Sequence, residues 1–177
     1  MLPFKRVGLF LGMLLLVAAT ALAGDDLALT ILHTNDIHAH LAAFDEFGAF
    51  CDKAKDAAGK CQGGAARLAT AVARQRAKGG NILLLDAGDQ FQGTLFFAKY
   101  KGEASAFFMN RLGYDAMTLG NHEFDDGPAT LANFIRSLKF PMLGANVDVT
   151  ASPDLKGLVA PYSVREFDGK KVGIIGL

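Results

Sequence analysis

Tryptophan is absent from this 177-residue chain, and cysteine, tyrosine and histidine are scarce at two, three and four copies. The two cysteines, Cys51 and Cys61, have no companion Cys or His pair at zinc-site spacing, which weighs against a structural zinc site. An excess of one charge is lacking too. Eighteen Lys and Arg balance eighteen Asp and Glu, so nothing drives binding to a nucleic-acid polymer by electrostatics alone. No internal repeat or low-complexity linker breaks the sequence. One long apolar run exists, from Val7 to Thr20, and it is short for a membrane span.

That run has a different reading. Lys5 and Arg6 precede it and Ala21-Leu22-Ala23 follows, the pattern of a secretory signal peptide cut after Ala23. Residues 1–23 are therefore expected to be a leader, the mature protein periplasmic or secreted, and stable membrane insertion absent after cleavage. The leader holds two of the basic residues and no acid, leaving sixteen against eighteen, or −2, in the mature chain. Residues 24–177 suffice for one modest domain with a core. In an oxidising compartment Cys51 and Cys61 are most simply a local disulfide, across a segment that reads as a surface loop or ragged helix end.

Strand and helix patterns alternate, which sets the class as α/β. Leu27–Leu32, Ile82–Leu85, Ala116–Leu119 and Met142–Ala145 are apolar enough for strands, the second for one buried on both faces. Helices are expected over 65–78 between glycine pairs, over 103–112 before Gly113, and over 127–138 with Pro128 at an early, tolerated position. Tyr162–Phe167, an Asp168-Gly169 turn and Lys171–Leu177 read as a β-hairpin.

The first three strands each end in a polar cluster. They are Asp36-Ile37-His38; Asp86-Ala87-Gly88-Asp89-Gln90; and Gly120-Asn121-His122-Glu123-Phe124-Asp125. Polar groups at the ends of adjacent parallel strands share one crevice. Carboxylate, imidazole and carboxamide together are a ligand set for divalent metals. Asp36 and His38, two apart, can grip one ion. Asp89 has two oxygens and can bridge two ions, with Gly88 allowing the sharp turn. Asn121 offers a neutral oxygen. His122 can hold or give a proton, and Asp125, three residues on, can orient its ring. Asp86 and Glu123 read as structural, and Gln90 and Gln92 as solvated loop residues.

In this order the clusters resemble the metallophosphoesterase (calcineurin-like) superfamily. With His33-Thr34-Asn35-Asp36-Ile37-His38, Gly63-Gly64-Ala65-Ala66-Arg67 and Gly120–Asp125, the likeness is closer to the 5′-nucleotidase (UDP-sugar hydrolase) family. The resemblance implies a β-sandwich flanked by helices, incomplete in this chain, and a hydrolase that releases phosphate from nucleotides or other small phosphoesters. It implies two divalent ions, of Zn, Mn, Co or Mg, that activate a water for in-line attack on phosphorus. Asp36 and His38 would bind the first, Asp89 both and Asn121 the second, with His122 and Asp125 as the catalytic dyad.

The family pattern continues with further metal-binding histidines, and none follows His122 here. His33 and His40 lie beside the first metal position and are poor substitutes. Residues 24–177 are thus expected to be the N-terminal part of a catalytic domain, without the substrate-binding C-terminal domain and inactive alone. Two other readings stand beside this one: a non-catalytic metal- or partner-binding remnant, and a cyclic-nucleotide phosphodiesterase or sulfur-compound hydrolase of the same superfamily.

Overall fold

A computed structural model describes residues 26–177, so the expected leader lies outside the described residues. Five parallel strands form the main sheet: β1 (Leu29–Thr34), β2 (Asn81–Asp86), β3 (Ala116–Thr118), β4 (Met142–Leu143) and β5 (Val159–Ala160), in spatial order β1-β2-β3-β4-β5. The β1–β2 register runs from Leu29 opposite Asn81 to Thr34 opposite Asp86, so both strands end level. The helices between them are α1 (Lys53–Ala57) and α2 (Ala65–Arg76), then α3 (Leu95–Tyr100) and α4 (Glu103–Leu112), then α5 (Gly127–Ser137). A hairpin of β6 (Tyr162–Phe167) and β7 (Lys170–Ile175) closes the described chain.

Strand order explains the layering. Because spatial order equals chain order, every crossover steps the same way. Right-handed crossovers then put all the helices on one face of the sheet. The side chains divide accordingly. Leu84, Met117 and Met142 enter a large core with Val72, Phe97, Met109, Leu131 and Phe134 of the helices. Their strand neighbours Leu83, Ala116 and Leu143 face the other way and pack on Ile174 of β7, with Phe167 of β6 beside them. The expected sheet-on-sheet packing is therefore five parallel strands against a two-stranded hairpin, with helices covering one side.

Local chemistry sets the element ends. Gly64 precedes α2 at φ 84°, and Gly113 stops α4 at φ 70°, both left-handed positions that favour glycine. Thr94 caps α3 by accepting the Phe96 N–H at 3.2 Å. Cys51 and Cys61 are disulfide-bonded with Cα atoms 5.8 Å apart, and five residues of the enclosed segment form α1. α1, α3 and the two-residue β5 go beyond the sequence expectations.

Candidate metal centre

Two glycines let the strand-end loops meet. Gly88 lies at φ 99°, and a side chain there would overlap the backbone of Gly120, whose Cα is 2.7 Å from the Cβ position. A side chain on Gly120 would in turn strike the Asp89 carboxylate, with Cγ at 2.8 Å. The loops after β2 and β3 thus touch backbone to backbone. The loop after β1 is tied to them by N–H groups of Asp36, His38 and Ala39, which donate to the carbonyls of Gly88, Asp89 and Gln90 at 3.0 Å each.

Strain concentrates here. Asp36, His38, Ala39, Asp89 and Gln92 all have φ between 47° and 69° without being glycine. Such a conformation is costly for each residue and persists when surrounding bonds over-determine it. Here those bonds are the backbone ties just described, and two of the strained residues, His38 and Asp89, come together with His122. Ligand atoms of His38, Asp89 and His122 lie within 4.8 Å of one another. The His38 imidazole and the Asp89 carboxylate are suitable donors for a divalent cation, and the His122 ring stands beside them.

Each donor has a partner that orients it. His38 places Nδ1 2.9 Å from the Phe91 carbonyl, leaving Nε2 toward the crevice. Asp36 stands 3.7 Å from that Nε2 through Oδ1, and its Oδ2 accepts from Asn35 Nδ2 at 2.6 Å. Asp89 Oδ1 accepts the His122 N–H at 2.9 Å. Asn121 is exposed and opens the 3₁₀ turn His122–Phe124, its carbonyl accepting from the Phe124 N–H. The rings of His38 and His122 meet edge-on with centroids 5.0 Å apart.

His122 and Asp125 form a pair through Nδ1 and Oδ2 at 2.6 Å. The bond to Asp125 raises the His122 pKa above its ordinary value, with partial burial opposing it. Asp125 is lowered by the same bond and by Gln92, whose Nε2 donates to Oδ2 at 2.8 Å. Gln92 stays partly exposed on its loop but is engaged by Asp125. Gln90, by contrast, is not the solvated loop residue expected: it is 2 % exposed and donates to Asp86 Oδ2 at 2.8 Å. A loop position gives no sequence signal of such burial; the glycine-enforced approach of the loops causes it.

Two carboxylates sit behind the crevice. Asp86 accepts from Thr34 Oγ1, the Gly88 N–H and Gln90 Nε2, and burial pushes it up to about 6 against those bonds. Glu123 is wholly buried and accepts the backbone N–H groups of Gly120, Asp89 and Gln90 at 2.7–2.9 Å. Burial raises its pKa while these bonds lower it. His40 hydrogen-bonds through Nδ1 to the Ile37 carbonyl, and His33 lies on the hairpin side of the sheet near Leu85 and Ile174. Neither belongs to the cluster of His38, Asp89 and His122.

Residues 29–172 match the family model described as calcineurin-like phosphoesterase. The chain is 48% identical over 151 residues to the 5′-nucleotidase of Rattus norvegicus, covering 84% of this chain and 26% of that protein. It is 43% identical over 177 residues to the snake venom 5′-nucleotidase of Gloydius brevicauda, covering 98% of this chain and 29% of that one. The crystal structure of a 5′-nucleotidase precursor from Thermus thermophilus superimposes with a TM-score of 0.74 at 48% identity, covering 84% and 28%. The chain thus spans less than a third of the length of these relatives.

Proposed function

This chain belongs to the calcineurin-like phosphoesterase family, and from that premise we propose that it is the metal-binding part of an exported, 5′-nucleotidase-like hydrolase that releases phosphate from nucleotides. The observation that carries this reading is the convergence of His38, Asp89 and His122, on three strand ends, to within 4.8 Å. The names of the rat and Thermus thermophilus relatives support the substrate class. The venom relative and the sequence of residues 1–23 support export to the periplasm or the medium, with cleavage after Ala23.

Asp36 and His38 would hold one divalent ion, Asp89 would serve both, and Asn121 would hold the second. When bound, two such ions neutralise phosphoryl oxygens and acidify a water for in-line displacement at phosphorus. The protein's own contribution follows from its hydrogen bonds. Phe91 fixes the His38 ring so that Nε2 is the free nitrogen. The His122 N–H fixes the Asp89 carboxylate. Asp125 holds Nδ1 of His122 and raises its pKa, which favours the protonated ring. In that protonated form Nε2–H would be available to an oxygen of the phosphoryl or leaving group as negative charge builds there.

The second ion receives only Asp89 and Asn121 from this set, so the 177-residue chain is expected to turn nucleotides over slowly by itself. Phosphate release from AMP with excess Mn²⁺, Zn²⁺ or Co²⁺ tests both points, with Asp89→Asn as the control. Slow release that Asp89→Asn abolishes supports the reading. Turnover equal to that of a full-length relative, lost on Asp89→Asn, overturns the shortage of ligands. Absence of both phosphate release and divalent-ion binding overturns the function.

A further inference from the structure

Glu123 touches none of the inward-facing groups, yet its carboxylate joins the two loops that carry them. Oε2 accepts the Gly120 N–H at 2.7 Å and the Asp89 N–H at 2.9 Å. Oε1 accepts the Gln90 N–H at 2.8 Å, with the Phe91 N–H further away at 3.4 Å. One oxygen thus bridges the loop after β2 to the loop after β3, and the other holds the next residues of the β2 loop. The side chain has no exposure to solvent. Water therefore cannot replace it as acceptor, and each N–H would be left unpaired without it.

The bonded residues matter individually. Asp89 has φ 58°, in the left-handed region that is uncommon for any residue but glycine. Gly120 and Gly88 approach too closely for any side chain between them. The His38 ring is in turn held by the carbonyl of Phe91, on the same Glu123-bound segment.

Resting on the metal-centre reading above, we propose that Glu123 is a positioning residue for that centre: its buried carboxylate clamps the loops after β2 and β3 and so presets Asp89, His38 and His122 before any ion arrives. The work of aligning the ligands is done by folding and not by the cation. A glutamine cannot substitute. Its side chain has one acceptor oxygen for three close N–H donors, and its own NH₂ would point at another donor.

Two measurements on the full 177-residue chain test this. The first needs no metal. Amide hydrogen exchange should be slow at Asp89, Gln90 and Gly120, and at least about tenfold faster there in Glu123→Gln, with Leu84 in β2 still protected. Unchanged exchange at those three amides overturns the clamp. The second is Mn²⁺ affinity, which Glu123→Gln should weaken at least about tenfold, the scale seen when supporting partners of ligands are lost. Leu131→Ala, a core substitution that removes none of the Glu123 hydrogen bonds, supplies a destabilised control whose affinity should stay within about twofold. Equal losses in both variants reduce Glu123 to general stability and overturn the proposal. If Glu123→Asp recovers part of the affinity that Glu123→Gln loses, the carboxylate itself is the active feature. A wild-type chain that binds no divalent ion, with exchange behaving as expected, overturns the metal-centre reading and leaves the clamp standing.

Discussion

His122 and Asp125 sit three residues apart around one 3₁₀ turn, with Nδ1 of the ring 2.6 Å from a carboxylate oxygen. Gln92 reaches the same oxygen from the β2 loop, so the pair is fixed from two directions. This arrangement sets both the direction of the free Nε2 and the ease of protonating it.

Removing the carboxylate charge should therefore lower the His122 pKa. The Asp125 bond raises it in the wild type, so the protonated ring persists to higher pH than an ordinary histidine. Asp125→Asn should move the midpoint to lower pH. NMR titration of the ring Cε1–H in the metal-free chain measures this directly, and an unmoved midpoint would refute the assigned pairing. In a form that hydrolyses AMP, His122→Ala should reduce turnover by about 10²–10⁴-fold, the usual range for a lost proton donor.

Asp86 should make stability fall as pH rises. Its folded pKa of about 6 lies above the ordinary 3.8, so the folded state holds the proton more tightly than the unfolded state. Its contribution is complete below about pH 4 and is lost as pH climbs through about 6. A shift of this size corresponds to at most about 3 kcal/mol. Urea denaturation of the metal-free chain between about pH 4 and pH 7 should show a steeper decline in the wild type than in Asp86→Asn. Parallel curves would show that Asp86 is not buried as a neutral acid.

Much of this was legible in the sequence. The strand-end clusters at Asp36, Asp89 and Asn121 stand out because short apolar runs precede them, and α4 runs from Glu103 to Leu112 as its flanking glycines imply. α3 was not legible. Its six residues, Leu95–Tyr100, are too few to display a helical period, and the helix depends on the Thr94 cap and on burial of Phe97. The reach of Glu123 was not legible either. Its partners Asp89 and Gln90 lie more than thirty residues away and donate from the backbone, which has no sequence signature.

The Cys51–Cys61 disulfide should matter beyond its own loop. Phe44 forms isolated bridges with Phe50 and Gln62, next to the two cysteines, and its ring lies against Gly63 just before α2. Reduction should cost roughly 2–3 kcal/mol on loop-closure grounds. It should also speed amide exchange at Phe44 and Gln62 while leaving β2 protected. A denaturation midpoint that does not move with dithiothreitol would contradict this.

The ligand assignment proposed above makes a stoichiometric prediction. His38 and Asp89 lie in one cluster, Asp36 stands 3.7 Å from the His38 ring, and their two loops are bonded backbone to backbone, so the ion proposed for these three residues would meet a prepared site. The other would meet Asp89 and Asn121, and Asn121 is exposed. Cation affinity rises with the number of fixed donors, and water must fill the rest. Titration calorimetry with Mn²⁺ should therefore resolve one tight ion and a second bound at least about tenfold more weakly. Asp36→Asn should weaken the tight step, Asn121→Ala only the weak one, and Asp89→Asn both. Two ions of equal affinity would mean that other groups of this chain complete the second site.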